Sequence, residues 1–248
     1  MIWLLAIGVV AGVLTTVTGV GGGMVALSLL SLVMAPAQAL AVSAAAFTIG
    51  NGHRVMLYAR SVERRVTARF GLGLAAGAMA GAALVPRLPA SVLRLALVAV
   101  AAASLGRALW HRWRAVVPPP GAIRAPVVPL LGRRLVAAGV VTGAIGAGAG
   151  GAGVLVAPLL LASGLRRDAY VATVAACAIV LNGARVAGYA VGDLYTAAML
   201  PQVGALAAAL IAGNLIGRAV RGRLPLPLLD RLELAAPMVA ILLALLGL

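Results

Sequence analysis

The sequence predicts an all-α polytopic membrane protein: two homologous, inverted repeats of four to five helical segments each, with short Gly-interrupted helices among them. Three observations carry this. Hydrophobic residues make up 63% of the 248-residue chain and charged residues only 10%, with a mean hydropathy of +1.12. A soluble domain has about 45–50% apolar and about 25% charged residues, so this chain has too little polar surface to cover a core in water. Its apolar residues fall into runs separated by short, arginine-bearing loops, and landmarks of the first half recur in the second in the same order.

The apolar segments run over residues 2–18, 24–34, 39–59, 67–85 and 92–110, then 134–148, 153–163, 169–191, 196–219 and 226–248. Residues 2–18 are not read as a signal peptide, because no charged stretch precedes them and the segment recurs mid-chain. Most segments reach the roughly 20 residues that a helix needs to cross a bilayer core. Segments 24–34 and 153–163 do not, and as helices each would cover only about 17 Å. Each follows a glycine run, GVGGG (19–23) or GAGAGGAG (146–153). Short, Gly-interrupted segments in matching positions of two halves point to a transporter's binding site. Whether they cross fully or are re-entrant stays open at this level.

The duplication is read from three matches. WLLAIGVVAGVLTTVTGVGGG (3–23) is echoed by LVAAGVVTGAIGAGAGGAG (135–153), and NGHRVMLYA (51–59) by NGARVAGYA (182–190). Gly77-x-x-x-Gly81 is echoed by Gly213-x-x-x-Gly217, and each pair is followed by Arg-Leu-Pro. The repeats are 1–113 and 133–248. Between them, 114–132 is a Pro/Arg-rich cytoplasmic linker; in the surrounding stretch 111–134, three successive prolines and five arginines predict an extended, solvated connector.

Charge placement bears on orientation. With five crossings per half, the arginine-rich stretches 60–69, 107–134 and 218–223 share a side with Arg166 and Arg167. Residues 35–38 and 192–195 carry no arginine, and 86–91 only Arg87, on the other side. Positive loops stay inside, so an odd number of crossings inverts one half relative to the other. All 20 basic residues are arginines, and the net charge of +15 sits mostly in these loops. It is therefore not a nucleic-acid footprint, and no nucleic-acid partner is expected.

Asn51, Arg54 and Tyr58 share one helical stripe, as do Asn182, Arg185 and Tyr189. An arginine inside an apolar span faces an interior, a cavity or a partner. In a cavity its planar fork suits an oxyanion. The alternatives are that each arginine snorkels to the interface, or that Arg185 pairs with Asp193. The glycines divide similarly. Gly77, Gly81, Gly213 and Gly217 read as close-packing positions. At the breaks, Gly21, Gly22 and Gly23, with Gly150, Gly151 and Gly153, would free backbone N–H groups and a helix N-terminus for an anion. The five carboxylates, Glu63, Asp168, Asp193, Asp230 and Glu233, all lie in or beside loops. That argues against a cation pathway. His53 and His111 lack ligand-type neighbours, Cys177 is a lone cysteine read as packing, and no acid–base constellation is present, so no metal, cofactor or enzyme activity is expected.

TGVGGG (18–23), GAGGAGVLVAPLL (148–160), AYVATVAA (169–176) and the Asn-x-x-Arg segments resemble the sulfite exporter TauE/SafE family, also called the toluene sulfonate uptake permease family. Gly19 and Gly21 to Gly23 match its first glycine motif, and Gly151, Gly153 and Pro158 its second. Ser28 departs from the expected proline, and Ala149 and Ala152 from expected glycines. The resemblance implies a carrier of sulfite, thiosulfate, sulfonates or related organic acids. The reading is a multi-pass permease of the bacterial inner membrane that moves a small anion by alternating access. The lipid bilayer and a small anion are its partners, and a homo-oligomer is left open. A non-transporting scaffold or accessory subunit is the alternative.

Overall fold

The computed structural model describes residues 1–19, 21–115, 132–150, 153–162, 165 and 167–223. The predicted segment 226–248, residues 116–131 of the linker, Gly151 and Arg166 lie outside the described residues. Nine α-helices form among those described, with no strand: α1 Ile2–Thr18, α2 Gly22–Val33, α3 Pro36–Leu57, α4 Arg64–Leu84, α5 Ala90–Ala115, α6 Arg133–Ala149, α7 Gly153–Ala162, α8 Arg167–Val191 and α9 Leu200–Arg221. Short 3₁₀ turns at Ala59–Ser61, Val85–Arg87 and Ala197–Met199 join some of them.

Local chemistry sets these boundaries. Prolines stand in the first turns of α3 and α9, where their missing N–H costs nothing. Gly19 ends α1 in the left-handed conformation at φ 83°. The two short segments are helices of 12 and 10 residues. One boundary is corrected. The stretch expected to be extended from 111 is helical to Ala115, and α6 starts at Arg133. Leu-Trp-His-Arg-Trp-Arg-Ala contains nothing that stops a helix, and the first proline arrives only at 118.

Three helical stretches are long and apolar enough to cross a membrane: Arg64–Arg87, Asp168–Val191 and Ala197–Arg221. Ile2–Thr18, Gly22–Val33 and Ala90–Val100 are shorter apolar helices. The outer surface is apolar as well, with Trp3, Met56, Leu72 and Val191 each more than two-thirds exposed. In water such a surface would drive aggregation; in lipid it is the solvated face.

The helices pack crosswise between the halves. α1 packs on α9 and α4 on α6, while α3 packs on α8. Glycines let the paired backbones touch. A Cβ on Gly77 would stand 2.0 Å from the Val140 carbonyl, and one on Gly213 would stand 2.3 Å from the Val9 carbonyl. Both Gly-x-x-x-Gly pairs therefore serve packing, as small residues do between membrane helices. One apolar cluster gathers Leu40, Val42, Phe47, Leu206 and Leu210 around α3; another gathers Phe70, Leu74, Val174, Cys177 and Leu181 around α8.

Candidate functional site

Two broken segments meet at the centre. Between α1 and α2 the chain turns through Gly19 at φ 83° and Gly21 at φ 95°. Gly21 caps α2 with no side chain, so the helix's first amides have no intrahelical acceptor. Between α6 and α7, Gly150 holds φ 62°. A Cβ there would fall 1.9 Å from Leu27 Cδ2, so α2 of the first half packs against the break in the second.

Both Asn-Arg pairs open on one cavity of about 60 Å³, which Gly19, Gly21, Gly23, Gly150 and Gly153 also line. Asn51 and Arg54 come from α3, Asn182 and Arg185 from α8. Arg54 is 1% exposed and Arg185 4%, so neither snorkels to an interface. Leu27 and Phe47 add apolar wall, and Thr15 and Ser43 add hydroxyls.

The two arginines are held differently. Arg185 donates from Nη1 to Asn182 Oδ1 at 2.8 Å and from Nε to the Tyr189 hydroxyl at 3.2 Å. Its Nη2 lies 3.5 Å from the Leu40 carbonyl, a longer contact. The Tyr189 hydroxyl in turn donates to the Ala147 carbonyl at 2.5 Å, near the end of α6. The alternative pairing of Arg185 with Asp193 is not found; the guanidinium takes neutral partners, mainly on its own helix. Arg54 reaches across to α1, where Nη1 donates to the Thr15 carbonyl at 2.8 Å. Its Nε is buried with no hydrogen-bond partner. A free donor on a buried guanidinium is costly unless something else occupies it.

Other predicted residues fall elsewhere. α3 ends at Leu57 and Tyr58 turns away at φ −127°, ψ 24°, to pack against the cluster around α8, so it leaves the stripe. Tyr189 is fully buried and does not line the cavity; it orients Arg185. Gly22 packs on α1, where a Cβ would lie 2.2 Å from the Ala11 carbonyl. His53 stands outside the cavity, with Nδ1 buried and unpartnered. The sequence reading missed Thr15, Ser43, Phe47 and Leu27. Only the hydroxyls, set in apolar helices, carried a signal of their own.

Among the described residues the lining holds two guanidiniums, two carboxamides and two helix N-termini, and no carboxylate. Partial positive charge at a helix N-terminus favours anions, so the guanidiniums and the helix ends of the cavity have the same sense. Among the described residues no cluster of His, Cys, Asp and Glu could hold a metal ion. A family model described as Sulfite exporter TauE/SafE matches residues 4–248. No curated protein and no solved structure matches the chain.

Proposed function

The chain belongs to the sulfite exporter TauE/SafE family, a family of membrane transporters, and on that premise we propose that its central cavity binds a small oxyanion and carries it across the bacterial inner membrane. One observation carries the reading: both Asn-x-x-Arg segments and both glycine breaks open on the same cavity, with no carboxylate among its described lining residues. Arg54 and Arg185 neutralise the anion, Asn51 and Asn182 donate to its oxygens, and the N-terminal amides of α2 and α7 complete the shell. Tyr189 acts on Arg185 rather than on the anion.

The size of the cavity supports a compact substrate. A volume of about 60 Å³ is a few times the roughly 10–15 Å³ that a cavity needs to hold one water. A four-heavy-atom ion such as sulfite fits that space, and an arylsulfonate does not without rearrangement. The repeats 1–113 and 133–248 are read as inverted, which sets the α1 break towards one face and the α6 break towards the other. Alternating access then swaps which break opens, with the anion passing between Arg54 and Arg185. A purely structural scaffold would leave the two stripes facing lipid or dry packing. Their meeting in a cavity favours the permease.

Thermal shift of the purified protein against sulfite, thiosulfate, sulfate, sulfonates and carboxylates tests binding, because a ligand stabilises the native state by RT ln(1 + [L]/Kd). Flux of the best binder into proteoliposomes tests transport. A panel in which no anion raises the Tm and none crosses the bilayer would leave the scaffold reading in possession.

A further inference from the structure

Asn214 lies on α9 outside the cavity, yet it ties together the two helices that present Arg54. Its Nδ2 donates to the Gly50 carbonyl on α3 at 2.8 Å, and its Oδ1 accepts from Thr16 Oγ1 on α1 at 2.9 Å. Asn214 is 3% exposed and Thr16 fully buried. Gly50 directly precedes Asn51, and Thr16 directly follows Thr15, whose carbonyl receives Arg54 Nη1. One carboxamide thus bridges the residues next to both cavity groups of the first half.

Neither partner needs the bond in order to be satisfied. The Gly50 carbonyl lies inside α3, where the helix supplies an acceptor role towards residue 54. The Thr16 hydroxyl can turn to the carbonyl four residues earlier, as Thr15 and Thr18 do on the same helix. What the bridge adds is register. The backbones already approach closely at this crossing: a Cβ on Gly12 would lie 2.9 Å from Gly213 Cα, and one on Gly50 3.0 Å from Leu210 Cβ. Arg221 of α9 also bonds the Thr16 and Val17 carbonyls of α1, and Gln202 of α9 meets Gln38 of α3, but Asn214 joins α1 and α3 through a single side chain, beside the cavity groups.

Among the described residues, no such bridge reaches the helices around Arg185 from the matching position on α4. Gly213-Asn214 corresponds to Gly77-Ala78, and Ala78 has no donor. There Arg185 is held by Asn182 and Tyr189 from its own helix, whereas Arg54 receives no side-chain partner from α3 among the described residues. The arginine lacking support on its own helix is the one whose helices Asn214 clamps. We propose that Asn214 is a positioning residue that holds α1 and α3 in the register at which Asn51 and Arg54 engage the anion together. This rests on reading the cavity as the anion site.

The test is [³⁵S]sulfite flux in proteoliposomes, with KM and Vmax resolved and the Tm measured for each variant. Asn214→Ala, which copies the alanine of the other repeat, should fold and raise KM about tenfold, the scale of one or two hydrogen bonds between membrane helices, while Vmax stays nearly constant. Thr16→Val, which removes only the α1 arm, should raise KM less, and the double variant should match Asn214→Ala alone. An unchanged KM in Asn214→Ala, or additive effects in the double variant, overturns the proposal. If Asn214→Ala does not fold, an unchanged KM in Thr16→Val overturns it instead. Wild-type flux in Arg54→Met would separately sink the anion-site reading beneath it.

Discussion

Replacing Arg54 with methionine separates a binding charge from a structural one. Methionine keeps an unbranched, flexible side chain of similar reach. Arg54 is 1% exposed, donates to one carbonyl and leaves Nε without a partner. Arg54 stands in the last turn of α3, so its cost does not exceed the about 2.5–3.5 kcal/mol that insertion scales give an arginine at a helix centre. A hydrogen bond from a charged group returns about 1.5–3 kcal/mol. The two nearly cancel, so Arg54→Met should change stability by less than about 2 kcal/mol, or about 4–8 °C in Tm for a chain of this length. Transport should suffer far more. Losing two charged hydrogen bonds to an oxyanion costs about 3 kcal/mol or more, which is about a hundredfold in uptake at low concentration. Arg54→Lys keeps the charge without the planar fork and should fall between, near tenfold. Sulfite flux in proteoliposomes and intrinsic tryptophan melting read the two quantities on one preparation. A fall of more than about 5 kcal/mol in stability, with flux per folded molecule preserved, would make Arg54 a structural group and refute the reasoning.

Gly77→Ala should lower the Tm by the equivalent of about 1–3 kcal/mol, since its Cβ would meet the Val140 carbonyl at 2.0 Å and force α4 from α6. Gly204→Ala, with nothing within 4 Å of the added atom, should be neutral or gain up to about 1 kcal/mol, and similar melting of both variants would count against the packing account. Gly150→Ala adds a side chain at φ 62°, worth about 1–3 kcal/mol of strain, as well as the contact with Leu27; trimming Leu27 to alanine should recover only part of the lost Tm. Tyr189→Phe strands Arg185 Nε and the Ala147 carbonyl, and should cost about 1–3 kcal/mol together with a higher KM; an unchanged KM would remove Tyr189 from the support of Arg185.

Much of the helical layout could be read from the chain because lipid imposes it. Apolar run length, glycine breaks and terminal prolines placed α1 to α4 and α6 to α9 within a few residues. The 131-residue offset between Asn51 and Asn182 identified the two helices that face each other across the cavity. Other features were hidden for physical reasons. Tyr58 fits the stripe by helical arithmetic, yet the helix ends one residue before it. Besides its hydroxyl, Thr15 contributes the carbonyl that receives Arg54, and the sequence does not announce a backbone group. Leu27 and Phe47 are apolar residues among many, and only the tertiary fold shows that they wall the cavity. The unequal support of Arg54 and Arg185 was illegible as well, because NGHRV and NGARV look alike, while Arg185 bonds side chains on its own helix and Arg54 turns to a backbone carbonyl on α1.

The crosswise pairing of α1 with α9 and α4 with α6 has a consequence for biosynthesis. α1 is the first described helix to leave the ribosome, but the surface that covers Gly8 and Gly12 arrives with residues 206–214. At about 5–20 residues per second, α1 waits roughly ten to forty seconds in the bilayer with its glycine face uncovered. α4 waits a much shorter time, because α6 follows it within about seventy residues. The first half therefore cannot complete its own packing. It stays an open partner, exposed to translocon, lipid or quality-control proteases, until the second half threads in beside it.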